Sequence, residues 1–168
     1  SREWAPAERW RVSRAELLYD PEGVVQQLLD EKANLSQKAF VAQALEYASQ
    51  SRYLLNRSVP AWLYRGNPLA GLHVLNRATD QFVGLVHLVN GEHPPADDWN
   101  GVLLDQLAWT PENLRERIVA AMTVSELTAT EASRRRHALY RLVHDCWQYL
   151  IPDEPPEDRV QSFHQARM

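Results

Sequence analysis

The chain has 168 residues, a formal net charge of -4 and a single cysteine, Cys146. This length suits one domain whose core is large enough to need no disulfide or structural metal. The charge argues against a general nucleic-acid binder, because such proteins concentrate positive charge on one face. A lone cysteine, with no signal peptide or transmembrane run, predicts a cytoplasmic protein without membrane insertion.

The first twelve residues carry Trp4 and Trp10 but show no regular period. We therefore expect residues 1–12 to form an extended lead-in whose tryptophans dock on the body. The chain begins at Ser1 without an initiator Met, and these residues resemble the end of a linker. This start is compatible with a fragment of a longer protein.

Two short helices are predicted next. Ser13 and Glu16 have the spacing of a capping box, which predicts a helix that Asp20 and Pro21 interrupt. Asp20 and Pro21 then begin a second helix. Its apolar residues are expected to face the core: Val24, Val25, Leu28 and Leu29.

Ser36 is a candidate cap for a third helix, which we expect to run to about Asn56. Pro60 is expected to open a separate short segment that contains Trp62 and Tyr64, because proline disrupts a helix interior.

The most clearly marked segment runs from Asn67 to Gly91. Asn67 suits the N-cap, Pro68 suits the first helical position, and Gly91 suits the left-handed conformation after a helix. Apolar residues recur between them at three- and four-residue steps, as expected of a core helix: Leu69, Leu72, Leu75, Ala78, Phe82, Leu85, Val86 and Val89.

The paired prolines Pro94 and Pro95 predict an extended loop after this helix. Asp97 or Asp98 is then expected to cap a helix that runs to Trp109.

Thr110 and Pro111 predict the start of another helix, with Leu114, Ile118, Val119 and Met122 facing inward. Residues 123–126 show a further capping-box pattern. A last long helix is predicted from Thr130 to the residues before Pro152.

No segment alternates like a strand, and no glycine-rich phosphate loop is present. The sequence therefore predicts an all-α fold, a single helical bundle of six or seven helices over residues 13–151. We expect its core to include residues of both long helices: Leu72, Leu75, Phe82, Leu139, Leu142 and Cys146. Residues 152–168 are proline-rich and acidic, and we expect a tail or linker there.

Residues able to bind a metal lie around one loop: His87, His93, Asp97 and Asp98. The two-histidine helical spacing of a metal site is missing, so we predict no metal and interpret His93 as part of a solvated loop.

Cys146 follows His144 and Asp145 directly, but adjacent helical positions point about 100° apart. Cys146 also falls on the apolar stripe, so we assign it to the core. We predict no catalytic residue and no cofactor.

Arg134, Arg135 and Arg136 form the densest positive cluster. It suits an anionic partner, although a solvated helix face is the simpler interpretation. Tryptophan and arginine often anchor protein interfaces, so we select Trp4, Trp10 and these three arginines as the candidate interface residues.

Short motifs from Phe40 to Trp109, with one stretch before them, are similar in order to a known family. They occur at residues 18–21 (LYDP), 51–54 (SRYL), 61–63 (AWL), 68–72 (PLAGL), 90–94 (NGEHP) and 107–109 (LAW). In this order the chain resembles the ImpA-type N-terminal domain of the TssA proteins of type VI secretion systems. It departs from the family at Tyr53, where an acidic residue is usual, at Pro60, and in lacking a tryptophan before Gly91.

The resemblance implies a non-enzymatic, helical protein–protein interaction and assembly domain that helps to build the secretion baseplate and tail. Its partners would be other protein subunits, including further copies in a homo-oligomer. Two alternatives stay open from the residues themselves. One is a small helical enzyme or ligand-binding bundle, and the other is a regulatory adaptor that binds an anionic partner through Arg134–Arg136.

Overall fold

The computed structural model describes residues 4–33, 35–96 and 101–152. These residues are mainly helical and include no β-strand, which confirms the predicted all-α class. The helices are α1 Pro6–Ser13, α2 Val24–Ala33, α3 Gln37–Tyr53, α4 Val59–Tyr64, α5 Pro68–Val89, α6 Leu114–Met122 and α7 Ala129–Leu150. The predicted cap at Asp97 or Asp98 and residues 153–168 lie outside the described part.

Helix α5 begins and ends as its sequence predicts. The Asn67 side chain accepts a hydrogen bond from the Ala70 amide at 3.0 Å, and Pro68 occupies the first turn. After the helix, Gly91 has a φ of 72°, which an L side chain rarely adopts. The Glu92 amide donates back to the His87 carbonyl, which satisfies one of the last free carbonyl groups of the helix.

The second half of α5 is buried on every side. All residues from Phe82 to Leu88 are buried, so neighbouring helices must surround this stretch. Helices α3, α4 and α7 pack around α5, and α6 packs mainly on α7. Gly84 permits the close approach of α3, because a methyl group there would lie 2.6 Å from Tyr47 Cε1.

The predicted core residues from both long helices are buried in one cluster, which confirms that prediction: Leu72, Leu75, Phe82, Leu139, Leu142 and Cys146. None of the described helices is long and apolar enough to cross a membrane.

The short segment expected at Pro60 is present as α4, but it is not separate from α3. A π-helical turn, Leu54–Ser58, joins α3 to α4, so the chain stays helical from Gln37 to Tyr64. Proline cannot donate a backbone hydrogen bond, and its ring clashes with the carbonyl four residues earlier in an α-helix. The wider π-turn just before Pro60 lets the helix continue past this residue.

The N-terminal expectations also need correction. Residues 6–13 form α1 instead of an extended lead-in, and Ser13 ends this helix instead of capping the next one. The Ala5 amide donates to Glu8 Oε2 at 2.7 Å, and Pro6 follows at the first position. No residue of α1 is fully buried, which explains why the sequence has no apolar period there.

Helix α2 begins near its predicted position, and the Gln26 amide donates to Asp20 Oδ2 at 2.8 Å. However, Val24, Val25 and Leu28 are exposed, contrary to their expected inward orientation. Helix α2 packs mainly on α1, and this contact leaves the three side chains exposed.

The connection to α6 is less helical than expected. Within the described residues 101–113, only a 3₁₀ turn, Leu104–Gln106, replaces the predicted helix to Trp109. Helix α6 begins at Leu114 and not at Pro111, after Asn113 in a left-handed conformation. No helix begins at the capping-box pattern of residues 123–126. The last helix, α7, begins at Ala129, one residue before its predicted start, and the Thr128 side chain caps it by accepting from the Glu131 amide at 3.2 Å.

We predict that truncating Leu75 or Phe82 to Ala lowers the free energy of unfolding by about 2 to 5 kcal/mol, because each leaves a cavity in the core. Urea denaturation measures the change. Leu69→Ala on the same helix is the matched control, since Leu69 is exposed. Equal denaturation midpoints for all three variants would contradict the central position of α5.

Candidate protein-binding surfaces

Trp10 lies on α1, and Trp4 lies two residues before this helix. Both side chains are half-buried. The Arg14 guanidinium lies 5.7 Å from the centre of the Trp10 ring, and Arg14 Nη2 donates to Glu92 Oε2 at 2.8 Å. This ion pair connects the end of α1 to the loop after α5. The Trp4 carbonyl accepts from Arg9 Nε at 3.1 Å. An interface role for either tryptophan stays a prediction.

Arg134 connects α7 to the end of α6. Its Nε and Nη2 atoms donate to the two carboxylate oxygens of Glu131 at 2.8 and 2.7 Å. Its Nη1 and Nη2 atoms also donate to the carbonyls of Ala120 and Thr123, both at 3.0 Å, at the end of α6. The last carbonyls of a helix lack intrahelical donors and carry partial negative charge, so a guanidinium stabilises this end.

Arg135 is buried beside it, with only 2% of its surface exposed. Its Nε atom donates to the Ala121 carbonyl, and its Nη2 atom donates to Asn76 Oδ1 at 3.1 Å. Burial lowers the pKa of Arg135, although an arginine remains charged at neutral pH. This side chain thus links α7, α6 and α5.

Arg136 Nη2 donates to His137 Nε2 at 2.8 Å, and its Nη1 atom lies 3.5 Å from the Leu55 carbonyl in the π-turn. The three arginines therefore face different partners and do not form one free positive surface. These internal contacts give the arginines a structural role, while a contact between Arg134–Arg136 and a partner stays a prediction.

The first apolar surface lies at the N-terminal side. Leu18 and Tyr19 are 88% and 82% exposed in the segment before α2. Val24 and Leu28 are four residues apart and Val25 and Leu28 are three apart, so these exposed residues lie on one side of α2. We call these five residues the N-terminal surface. None of them carries a charge.

The second surface is a groove of about 620 Å³ between α5, α6 and the segment that connects them. Val83, Leu104 and Leu114 are buried parts of its wall. Val119 and Met122 are 57% and 53% exposed on α6, although the sequence predicted both to face inward. We call this the α5–α6 groove.

The polar lining of the groove is mainly acidic. Four carboxylates and one guanidinium line it: Asp80, Asp105, Glu112, Glu116 and Arg115. Arg115 Nη1 contacts Asp105 Oδ2 at 2.8 Å, but both side chains are largely exposed, so this pair is weak. The groove therefore keeps an excess of negative charge.

Asn90 positions the connecting segment at one end of the groove. Its side-chain oxygen accepts from the Trp109 amide, and its nitrogen donates to the Trp109 carbonyl, both at 2.8 Å. The Trp109 ring also stacks on Tyr149 of α7, with centres 4.1 Å apart. Leu107 and Thr110, on either side of Trp109, line the groove.

The prediction of a solvated loop at His93 is wrong. His93 is buried, its Nε2 atom contacts the Ala33 carbonyl, and its ring lies 5.0 Å from the Phe40 ring. Burial lowers the pKa of His93 from its ordinary value, despite the opposing effect of the Ala33 carbonyl. Among the described residues no cluster of His, Cys, Asp or Glu is suited to a metal ion.

Cys146 lies in the core, as the sequence predicted. Burial raises the pKa of its thiol far above the ordinary value, so it stays protonated and a poor nucleophile. The neighbouring Asp145 pairs with Arg117 of α6 at 2.6 Å.

No family model, curated protein or solved structure matches this chain.

The sequence patterns predicted neither of the two surfaces. Apolar residues at helical spacing were assigned to the core, and the charge of the groove combines Asp80 of α5 with residues 105, 112 and 116 from a later part of the chain. One signal was present, because three consecutive charged residues, Arg115, Glu116 and Arg117, lie beside the apolar residues of α6.

We predict that Arg135→Met lowers the free energy of unfolding by about 1.5 to 3 kcal/mol, because it leaves the buried Ala121 carbonyl without its charged donor. Urea denaturation at neutral pH measures the loss. Arg141→Met, at an exposed position of the same helix, is the control and should change stability by less than about 0.5 kcal/mol. Equal losses in both variants would contradict the assigned role.

A further prediction concerns Glu131, which Arg134 hydrogen-bonds. This contact lowers the pKa of Glu131 from 4.5 to about 2. Because the folded-state pKa is the lower one, ionised Glu131 stabilises the fold above pH 4.5, and this contribution is lost as the pH falls toward 2.

Urea midpoints of the unchanged protein and Glu131→Gln, measured from pH 7 to pH 3, test this. The unchanged protein should be more stable at pH 7, and the difference should shrink below pH 4.5. Other carboxylates affect both proteins alike. A difference independent of pH would show that charge at Glu131 has no such effect.

Proposed function

We infer that this domain acts by binding protein chains, without catalysis, and that it associates with a second copy of itself through the N-terminal surface. The observation that carries this proposal is the exposure of five large apolar side chains along residues 18–28. Single exposed apolar residues are ordinary, but a group on one short stretch is typical of an interaction site.

The lack of charge on these five apolar residues is compatible with a second copy as the occupant. In a two-fold symmetric contact the same surface is used on both subunits, so charges of one sign would oppose each other. Val24, Val25 and Leu28 bring no such repulsion. Helix α2 packs mainly on α1 and leaves Val24, Val25 and Leu28 exposed, so these side chains are available for a partner.

The resemblance to the ImpA-type N-terminal domain of TssA proteins gives the proposed association a biological role. It supports assembly of a type VI secretion baseplate and tail in the cytoplasm, with protein subunits as partners and no cofactor or nucleic acid. The motif at residues 18–21 that contributes to the resemblance includes Leu18 and Tyr19 of the N-terminal surface.

The alternative adaptor role through Arg134–Arg136 has less support. Arg135 is buried, and Arg134 already neutralises Glu131 and the end of α6. An anionic partner would have to compete with these contacts.

Light scattering of the full chain across micromolar to millimolar concentrations tests the proposal. The mass should rise above 19.4 kDa with concentration. A double variant, Val24→Ser with Leu28→Ser, should remain monomeric with an unchanged circular dichroism spectrum, because it removes apolar area from the contact.

Leu69→Ser is the matched control, since Leu69 is exposed on α5, outside the N-terminal surface. It should associate like the unchanged protein. A monomeric mass for the unchanged protein at every concentration would overturn the proposal, as would equal association of the double variant.

A further inference from the structure

The α5–α6 groove differs from the N-terminal surface in shape and in charge. Its volume of about 620 Å³ is large enough for several side chains of a bound segment. It is open to solvent along Val119 and Met122 of α6, which are three residues apart and so lie on the same side of that helix.

These two residues complete an apolar strip with Ile118, which is half-buried in the wall of the groove. A strip on one helix beside a second helix is the usual receptor for an amphipathic helix, whose apolar side chains enter at three- and four-residue steps. The shape and lining of the groove therefore favour a helical segment over a compact ligand.

The charge of the groove further restricts which helical segments can bind. Glu112 lies two residues before α6, Glu116 lies in its first turn, Asp105 lies on the connecting segment, and Asp80 lies on α5. The carboxylates thus come from three parts of the groove wall. An acidic segment would be repelled, while Lys or Arg side chains beside an apolar face would be attracted.

A divalent cation does not explain these carboxylates. In the described part of the chain, no three acidic, histidine or cysteine side chains are close enough together to hold one.

Contacts with α7 hold α6, which carries the strip, in place. Arg134 and Arg135 bind the carbonyls at the end of α6, and Arg117 pairs with Asp145 of α7. At the other end of the groove, Asn90 fixes Trp109. The groove therefore exists before a partner arrives, which lowers the entropic cost of binding.

We propose that the α5–α6 groove binds a basic amphipathic helix of a partner protein, with its apolar face on Ile118, Val119 and Met122 and its Lys or Arg side chains beside the carboxylates. This site is separate from the N-terminal surface, so it does not depend on self-association.

Fluorescence anisotropy with the full-length protein tests the proposal. The first probe is a labelled synthetic helical peptide with leucines at three- and four-residue steps and lysines on both sides of them. The second probe has the same leucines and glutamates in place of the lysines. The basic peptide should bind saturably, more weakly as salt is added, and the acidic peptide should not bind.

Substitutions in the groove test where the peptide binds. Two double variants should each weaken the binding of the basic peptide by about tenfold or more. The first is Val119→Ser with Met122→Ser, and the second is Glu112→Gln with Glu116→Gln. Glu46→Gln with Glu126→Gln is the charge-matched control, because both residues are exposed and neither lines the groove. This control should bind like the unchanged protein, and circular dichroism confirms that each variant is folded.

Three outcomes would overturn the proposal. The first is no binding of the basic peptide, or equal binding of both peptides. The second is an equal loss in the control variant, which would indicate general attraction to an acidic protein. The third is tighter binding of a peptide with the sequence of residues 159–168, which would assign the groove to the chain's own C-terminal segment. Concentration-dependent mass of the unliganded protein tests the N-terminal surface separately.

Discussion

The burial of helix α5 is the constraint on which the other elements depend. Its residues from Phe82 to Leu88 are apolar or small on all sides except at His87, so no side of this stretch is suited to water. Helices α3, α4 and α7 must therefore surround it. Gly84 allows Tyr47 of α3 to approach, and the π-turn keeps α3 and α4 in one continuous rod past Pro60.

Helix α6 contributes less apolar surface to this core and is held partly by polar contacts. The Ala121 carbonyl near its end would be costly to bury without a donor, and Arg135 of α7 supplies one, while Arg134 donates to the exposed Ala120 carbonyl. The same contacts hold α6 in place while Val119 and Met122 stay exposed. Arginines that resembled a surface patch in the sequence thus support the wall of the α5–α6 groove.

The two exposed apolar surfaces differ in the partner that their charge favours. The N-terminal surface is uncharged, which is compatible with contact between identical chains. The α5–α6 groove has an acidic border, which favours a positively charged segment. A domain with both would connect copies of itself to another protein, which fits the proposed assembly role.

The sequence by itself determined the all-α class, the bounds of the two long helices and most of the core. Local signals were sufficient there, because Asn67, Pro68 and Gly91 mark the ends of α5 and the apolar period marks its buried side. Tertiary structure decided the rest. Val24, Leu28, Val119 and Met122 have the same local pattern as core residues, and only the position of neighbouring helices leaves them exposed. Arg135 is the converse case, since its burial depends on the Ala121 carbonyl and Asn76, which are distant in the chain.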